Sequence, residues 1–501
     1  MFPHDIETRN APSTILTLFD FIRLAAQQAM PVHKVEEEIW KQVLTIGRDA
    51  LAQFFHFQGN GDIGPEVVLP DGGTAQRLDN HHERNYRSIF GDFTLVRTCY
   101  GSREGQRITF VPLDHRLQLP ESDYSYLLQH WDATLGCESA FGRVRDTMLD
   151  VLGIEQPVDS LERIHRHVAT QVGAFRDSRP LPEAIKEGEL FVLTADGKGI
   201  PMRRDARDAK PKAKRGKGDK ANKKRMAIVG AIYSVDRHPR TSDEVVAALF
   251  RDVRLPGEEP NHRPEPVGKH VWAQLSHASD GSLSGPVTTV FRWLKTELGK
   301  RDEAGVKEVV CVMDGQELLW KGLRADVSVN GVVEVLDLLH VIPRLWQAAY
   351  LFEKEASVEA TEFVRSRLLR VLNGGVKGVV MGLRRQGTLR GLSATKCQQL
   401  KRLCGYLSSN ASRMKYGEYL LKGYPIASGV IEGACRSYVK DRMERSGMRW
   451  TLSGAQSMLD VRSEYRNGQW KEFRVFRIEA ETKRLYPYQT VLDGVQWSLA
   501  T

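Results

Sequence analysis

Two apolar runs in the chain end alike. Phe191-Val192-Leu193-Thr194-Ala195 meets Asp196-Gly197, and Val309-Val310-Cys311-Val312-Met313 meets Asp314-Gly315. Short apolar runs bounded by Gly read as buried strands. A carboxylate at the exit of such a strand stands at the sheet edge, where α/β proteins place their sites. A third carboxylate, Glu432, falls near the start of a helical segment, Ser428-Gly429-Val430-Ile431-Glu432-Gly433-Ala434-Cys435-Arg436. Carboxylate oxygens suit Mg²⁺, and a pair of such ions clamps the attacking and leaving oxygens of a phosphodiester. One Asp-Gly after a strand is ordinary turn chemistry. Two of them and a later helix glutamate, in the order strand, strand, helix, point to a two-metal phosphoryl-transfer site with Asp196, Asp314 and Glu432 as ligands.

The elements that must position these groups follow from periodicity. Strands are expected at 190–195, 226–235, 269–275, 307–313 and 332–337, with helices over 285–299, 316–323 and 343–371. Three strands, then strands alternating with helices, then a helix carrying a carboxylate, is the RNase H-like order. Ahead of it, residues 13–58 carry helix-spaced apolar positions, 59–75 are rich in Gly and Pro and read as a loop, and 87–114 read as a small β-meander. Its first strand is expected at 87–90, with Gly91-Asp92 as the turn. Residues 138–175 have a helix-turn-helix pattern: Phe141, Val144, Met148 and Leu152, a turn at Gly153-Ile154, a cap at Asp159 or Ser160, then Leu161, Ile164, Val168 and Val172. The fold class is therefore α/β. An RNase H-like catalytic core, a mixed sheet with flanking helices, follows a helical and small-β region with a helix-turn-helix. The boundaries are 1–75 (N-terminal helices), 76–120 (β-meander), 121–180 (helix-turn-helix region), 188–371 (first part of the core), 372–425 (basic helical insertion) and 426–501 (C-terminal core helix and tail).

Composition fits a DNA partner. The 501 residues carry a net charge of +9, and residues 203–225 alone hold twelve Lys/Arg against three Asp. Such a segment, with Lys220, Lys223, Lys224 and Arg225 at its end, suits phosphate backbones. Arg163 and Arg166, with His167, stand opposite the apolar face of the second helix of the helix-turn-helix, where DNA contacts would form. Glu432, Arg436 and Lys440 repeat every four residues on one helix face, a ligand followed by a phosphate track. No apolar run reaches membrane length and no secretory pattern opens the chain. Six scattered cysteines form no Cys-x-x-Cys pair, so neither a zinc ribbon nor a disulfide framework is expected and the reducing cytoplasm is the natural compartment.

Four stretches carry a family resemblance: LTADGKGIPMR (193–203), VVCVMDGQELLW (309–320), VLDLLHVIPRLWQAAY (335–350) and SGVIEGACRSYVKDRMERSGMRWT (428–451). They look like the ISKra-type insertion-sequence transposases of the DDE class, over roughly residues 87–475. The resemblance implies Asp196, Asp314 and Glu432 as the catalytic triad, holding two Mg²⁺ or Mn²⁺ ions. It also implies double-stranded DNA as the partner, both element terminal inverted repeats and target, bound by a homo-oligomer associated with the nucleoid. Asp314 follows Asp196 by 118 residues and Glu432 follows Asp314 by 118, so the second gap needs the insertion. Asp337-x-x-His340 sits where several transposase families keep a Cys or Asp before a His. By resemblance His340 contacts the substrate strand or orients a ligand. A hydrogen-bonded structural pair is the alternative, as is Asp337 in place of Asp314. Two other functions remain open: an RNase H-like nuclease that cuts without joining, and a DNA-binding regulator with an inactive core.

Overall fold

A computed structural model of the chain describes residues 11–80, 82–102, 108–179, 187–203, 224–252, 262–277, 282–327, 331–495 and 497. The chain forms two compact units, Met1–Phe175 with Trp470–Thr501, and Arg176–Gln469. Among the described residues no helix is long and apolar enough to cross a membrane.

The first unit opens with helices Ala11–Gln27 and Val32–Gln58. Six short strands follow: β1 (Glu66–Val68), β2 (Thr74–Arg77), β3 (His82–Ser88), β4 (Gly91–Arg97), β5 (Tyr100–Gly101) and β6 (Ile108–Phe110). They form an antiparallel sheet in the order β1-β2-β5-β6 and a separate β3-β4 hairpin. The stretch 59–75 is thus not all loop. Val67 and Ala75 are buried with Tyr100 and Phe110, and that burial draws these polar-flanked segments into a sheet. The hairpin turn is Ile89-Phe90 rather than Gly91-Asp92, because the Ser88 hydroxyl accepts from the Phe90 amide at 3.0 Å and donates to the Gly91 carbonyl at 3.2 Å. Helices Phe141–Leu152 and Val158–Ala169 share a core of Leu128, Val144, Met148 and Leu161. Gly153, at φ +68°, ends the first helix with an amide bonded to the Met148 and Leu149 carbonyls. The second begins at Val158 without a side-chain cap, so neither Asp159 nor Ser160 caps it. Residues 470–501 belong to this unit, not to a C-terminal core extension. Phe473 packs on Phe175 at 5.4 Å, and Arg477 donates to Gln129 Oε1 at 2.9 Å in a buried pair.

The second unit is built on five strands, β7 (Leu190–Pro201), β8 (Lys224–Val235), β9 (Val267–Leu275), β10 (Glu308–Met313) and β11 (Val333–Leu336), in the order β11-β10-β7-β8-β9. β7, β8 and β9 are antiparallel, while β10 and β11 run parallel to β7. Both faces are covered, so the strands read as unbroken apolar runs whose alternate residues enter different cores. Leu190, Val192, Val310, Val312 and Val335 join one core with helices Leu338–Phe352, Val358–Leu372, Val376–Leu389 and Ala394–Ser409. Phe191, Leu193, Val309, Cys311 and Met313 join the other with helices Ser284–Arg301 and Glu317–Asp326.

Two expectations change here. The helix expected over 343–371 is two helices, parted where Ala356 takes φ +60° and the Ser357 hydroxyl caps the next helix at the Ala360 amide, 3.1 Å away. The basic segment 372–425 is not peripheral. Its Val379, Leu383, Leu400, Leu403 and Leu407 are buried in the same core as the sheet, so its charge lies on the outer face of a structural layer.

Candidate active site

Register alone brings three carboxylates to one level. Leu193 pairs with Cys311 across β7 and β10, and three residues further on both strands stand Asp196 and Asp314. Met313 pairs with Leu336 across β10 and β11, and one residue further stand Asp314 and Asp337. Parity adds the face: Asp196 follows Leu190 and Val192 at even steps, Asp314 follows Val310 and Val312, and Asp337 follows Val335, all from the same core. The Asp196-Gly197 step is not a strand exit. β7 continues to Pro201, paired with β8 throughout, after its pairing with β10 ends at Leu193. Asp196 therefore sits mid-strand, three residues beyond the last pair between β7 and β10.

The fourth carboxylate arrives on helix Gly429–Ala434, which continues as a π-helical turn, Cys435–Lys440, and then Asp441–Met443. Such π turns are rare and concentrate at functional sites. Ile431, Ala434, Cys435, Tyr438 and Val439 face inward, and Glu432, Arg436 and Lys440 are exposed. Cys435 Sγ donates to Asp196 Oδ2 at 3.5 Å, which fixes the helix on β7. Burial, and then the Asp196 charge, push the Cys435 thiol up, so it remains a donor.

Each carboxylate has its own surroundings. Asp314 Oδ1 accepts from the Gln316 amide at 2.9 Å, and Oδ2 has no hydrogen bond among the described residues. Burial raises its pKa, and the charges of Asp196 and Asp337 add to that, with His340 opposing. Although Glu432 is exposed, partial desolvation of its carboxyl raises it, then Asp337 and Asp196, again with His340 opposing. Asp337 is fully buried. Its carboxylate accepts from the Leu339 amide at 2.9 Å, the Ser428 amide at 3.2 Å, His340 Nδ1 at 3.0 Å and the Ser428 hydroxyl. Burial disfavours its charge, yet the His340 and Ser428 bonds hold its pKa below the usual carboxylate value. The same hydrogen bond raises His340. Asp337, His340 and Glu432 each bring a ligand atom within 4.8 Å of the others.

Asp196, Asp314, Asp337, His340 and Glu432 thus converge, and Asp337 has a role that sequence reasoning missed. It caps helix Leu338–Phe352 and ties it to Ser428, at the entry of the Glu432 helix. The signal was present as the Ser that opens the stretch 428–451. Arg436 and Lys440 follow Glu432 on the exposed side. Lys220 and Lys223 lie outside the described residues. Lys224 pairs with Glu444 at 2.8 Å, and Arg225 is half-buried on β8. In the other unit, Arg163 is exposed and donates to Ser160 Oγ at 2.9 Å, while Arg166 stands 3.6 Å from Glu162. His167 is bound to Glu481 at 3.1 Å and is not free to read DNA there. Compared with protein-family models and with curated proteins, the chain matches none.

Proposed function

We propose that the chain is a DDE transposase, which cuts the ends of a DNA element and joins them to a target. One observation carries this reading: Asp196 and Asp314 share one level and one face on neighbouring strands, and Cys435 pins the Glu432 helix across Asp196. The strand order, three antiparallel strands followed by two parallel ones separated by helices, supports an RNase H-like core. The Gly153-capped helix pair supports a helix-turn-helix that reads terminal repeats through Arg163 and Arg166. Exposed Leu16, Phe19, Leu24 and Trp40 on the first two helices support self-association on DNA. The work is cytoplasmic, at the nucleoid.

The donor set fits divalent cations. It is rich in carboxylate oxygen, and Asp314 and Glu432 are held in a like-charge environment that cations would relieve. Two Mg²⁺ or Mn²⁺ ions held by Asp196, Asp314 and Glu432 would supply an activated water and offset charge on the phosphate. Asp337 is saturated by its own hydrogen bonds and acts as the positioning residue, keeping His340 and the Glu432 helix in place. Arg436 and Lys440 seat the flanking phosphates. In the cut, a water oxygen bonds to phosphorus, the P–O3′ bond breaks, and the leaving O3′ takes a proton as the water gives one to solvent. In the joining step, the oxygen of that 3′-OH bonds in line to a target phosphorus as its proton passes to solvent, the target P–O3′ bond breaks, and the displaced O3′ takes up a proton.

The test uses duplexes made from the DNA flanking the gene, with Mn²⁺. Transposition predicts cleavage at an inverted repeat and products longer than the substrate from joining. Cleavage alone supports the nuclease reading. Binding with no cleavage supports the regulator. Full cutting by each of Asp196→Asn, Asp314→Asn and Glu432→Gln removes the DDE assignment.

A further inference from the structure

The carboxylate cluster has a neighbour that neither the triad nor the basic segment accounts for. Arg344 lies one turn beyond His340 on helix Leu338–Phe352 and is exposed. Among the described residues no carboxylate is within ion-pair distance of it, and its one polar reach is Gln347 Oε1 at 3.5 Å. Its guanidinium instead stacks on Tyr406, 4.8 Å from the ring centroid. Tyr406 is half-buried on helix Ala394–Ser409, in the layer formed by 372–425. The ring lies against Gly315, the residue after Asp314: a Cβ there would come within 2.5 Å of Tyr406 Cε2 and 3.0 Å of its hydroxyl. Gly315 is therefore glycine because a ring fills the place of its side chain, and the ring braces the turn that aims Asp314.

A guanidinium beside a cluster of carboxylates would ordinarily pair with one. Here the aromatic face holds it at the rim of the site, with all its donors but the one that reaches Gln347 unspent. A planar fork of N–H donors suits the two non-bridging oxygens of a phosphate. Resting on the transposase reading, we propose that Arg344 seats the phosphate of the DNA strand entering the carboxylate cluster on its Asp314 side, and that Tyr406 is the positioning residue that orients both Arg344 and Asp314. The 372–425 layer thereby contributes to the site through a braced ring.

The full-length protein is compared with Arg344→Gln, Arg344→Lys, Tyr406→Phe and Tyr406→Leu. Binding of a fluorescent duplex is titrated against salt without divalent ions, and Mn²⁺-dependent cutting of the same duplex is timed. Arg344→Gln should reduce the slope of log K against log salt by about 0.9, one phosphate contact, and slow cutting about 10²-fold, as for loss of one transition-state donor. Its stabilisation by Mn²⁺ should equal that of the parent. Arg344→Lys should restore the slope but not the rate, since the charge returns without the fork. Tyr406→Phe, which keeps the stacking ring, should keep the slope. Tyr406→Leu, if folded, should behave as Arg344→Gln does. A parental slope and rate in Arg344→Gln overturn the proposal. If the parent does not cut at all, the transposase reading fails, and the salt slope still decides whether Arg344 holds a phosphate.

Discussion

Replacing Asp314 by Asn should stabilise the ion-free protein and remove most of its response to Mn²⁺. Asp196 and Asp314 stand level on neighbouring strands, and such strands are about 4.8 Å apart. At an effective dielectric of ~20, one like-charge pair at that spacing costs roughly 3.5 kcal/mol. Asp314 is only half-buried, and it also loses a favourable partner in His340, so solvent screening and that loss reduce the net relief to about 1 kcal/mol. The Asn carbonyl keeps the bond from the Gln316 amide, so no hydrogen bond is forfeited. With the ion present at about 100 times its Kd, the parent gains about 2.7 kcal/mol by mass action. At about 2–4 °C per kcal/mol, that is about 5–10 °C in Tm. Asp314→Asn should begin about 2–4 °C higher in EDTA and gain only a small part of the shift. Thermal unfolding with and without Mn²⁺ measures both. A variant less stable than the parent in EDTA, or one with the full Mn²⁺ shift, refutes the repelling-cluster account.

Asp337→Asn should act in the opposite sense. It weakens the bonds to His340 and Ser428 in a fully buried place, at a cost of about 2–3 kcal/mol, and denaturation in EDTA should show the loss. Asp132 is buried, and burial pushes its carboxyl up to about 7 against the Gln156 bond. A raised folded-state pKa gives stability that is complete below the ordinary carboxylate value and lost as pH rises through about 7. The parent should therefore lose up to about 4 kcal/mol between acidic pH and pH 8. Asp132→Asn, able to pair with the unpartnered Gln156 Oε1, should lose less in urea titrations at both pH values. Replacing Lys220, Lys223, Lys224 and Arg225 by Gln should weaken binding to every DNA sequence alike and flatten the salt slope by up to about 0.9 for each phosphate no longer neutralised. An unchanged slope removes that segment from the DNA surface.

The five core strands were legible because both faces of the sheet are buried. Runs such as Val309–Met313 then carry no polar residue to blur their limits. Asp196 and Asp314 stand out in the sequence as carboxylates ending apolar runs, but their common level and face come only with the register. Asp337 reads in the sequence as a hydrogen-bonded partner of His340 or as an alternative second ligand, but its tie to the Glu432 helix is hidden, because Ser428 lies far along the chain and no periodicity links the two. β1 and β2 escape notice because three- and four-residue strands leave too few positions for an alternation. The place of Tyr406 is hidden in a segment whose charge dominates its reading, where the informative residues are the apolar ones.

The first unit is closed by residues from both ends of the chain. A ribosome therefore delivers all of 176–469 before Trp470, Phe473, Arg477 and Tyr486 emerge to meet Thr134, Phe175, Gln129 and Leu119. The unit that holds the carboxylates is finished first, and the unit built from both flanking segments is finished last. A product truncated near residue 469 would keep every carboxylate of the site and lack the helix that completes its companion.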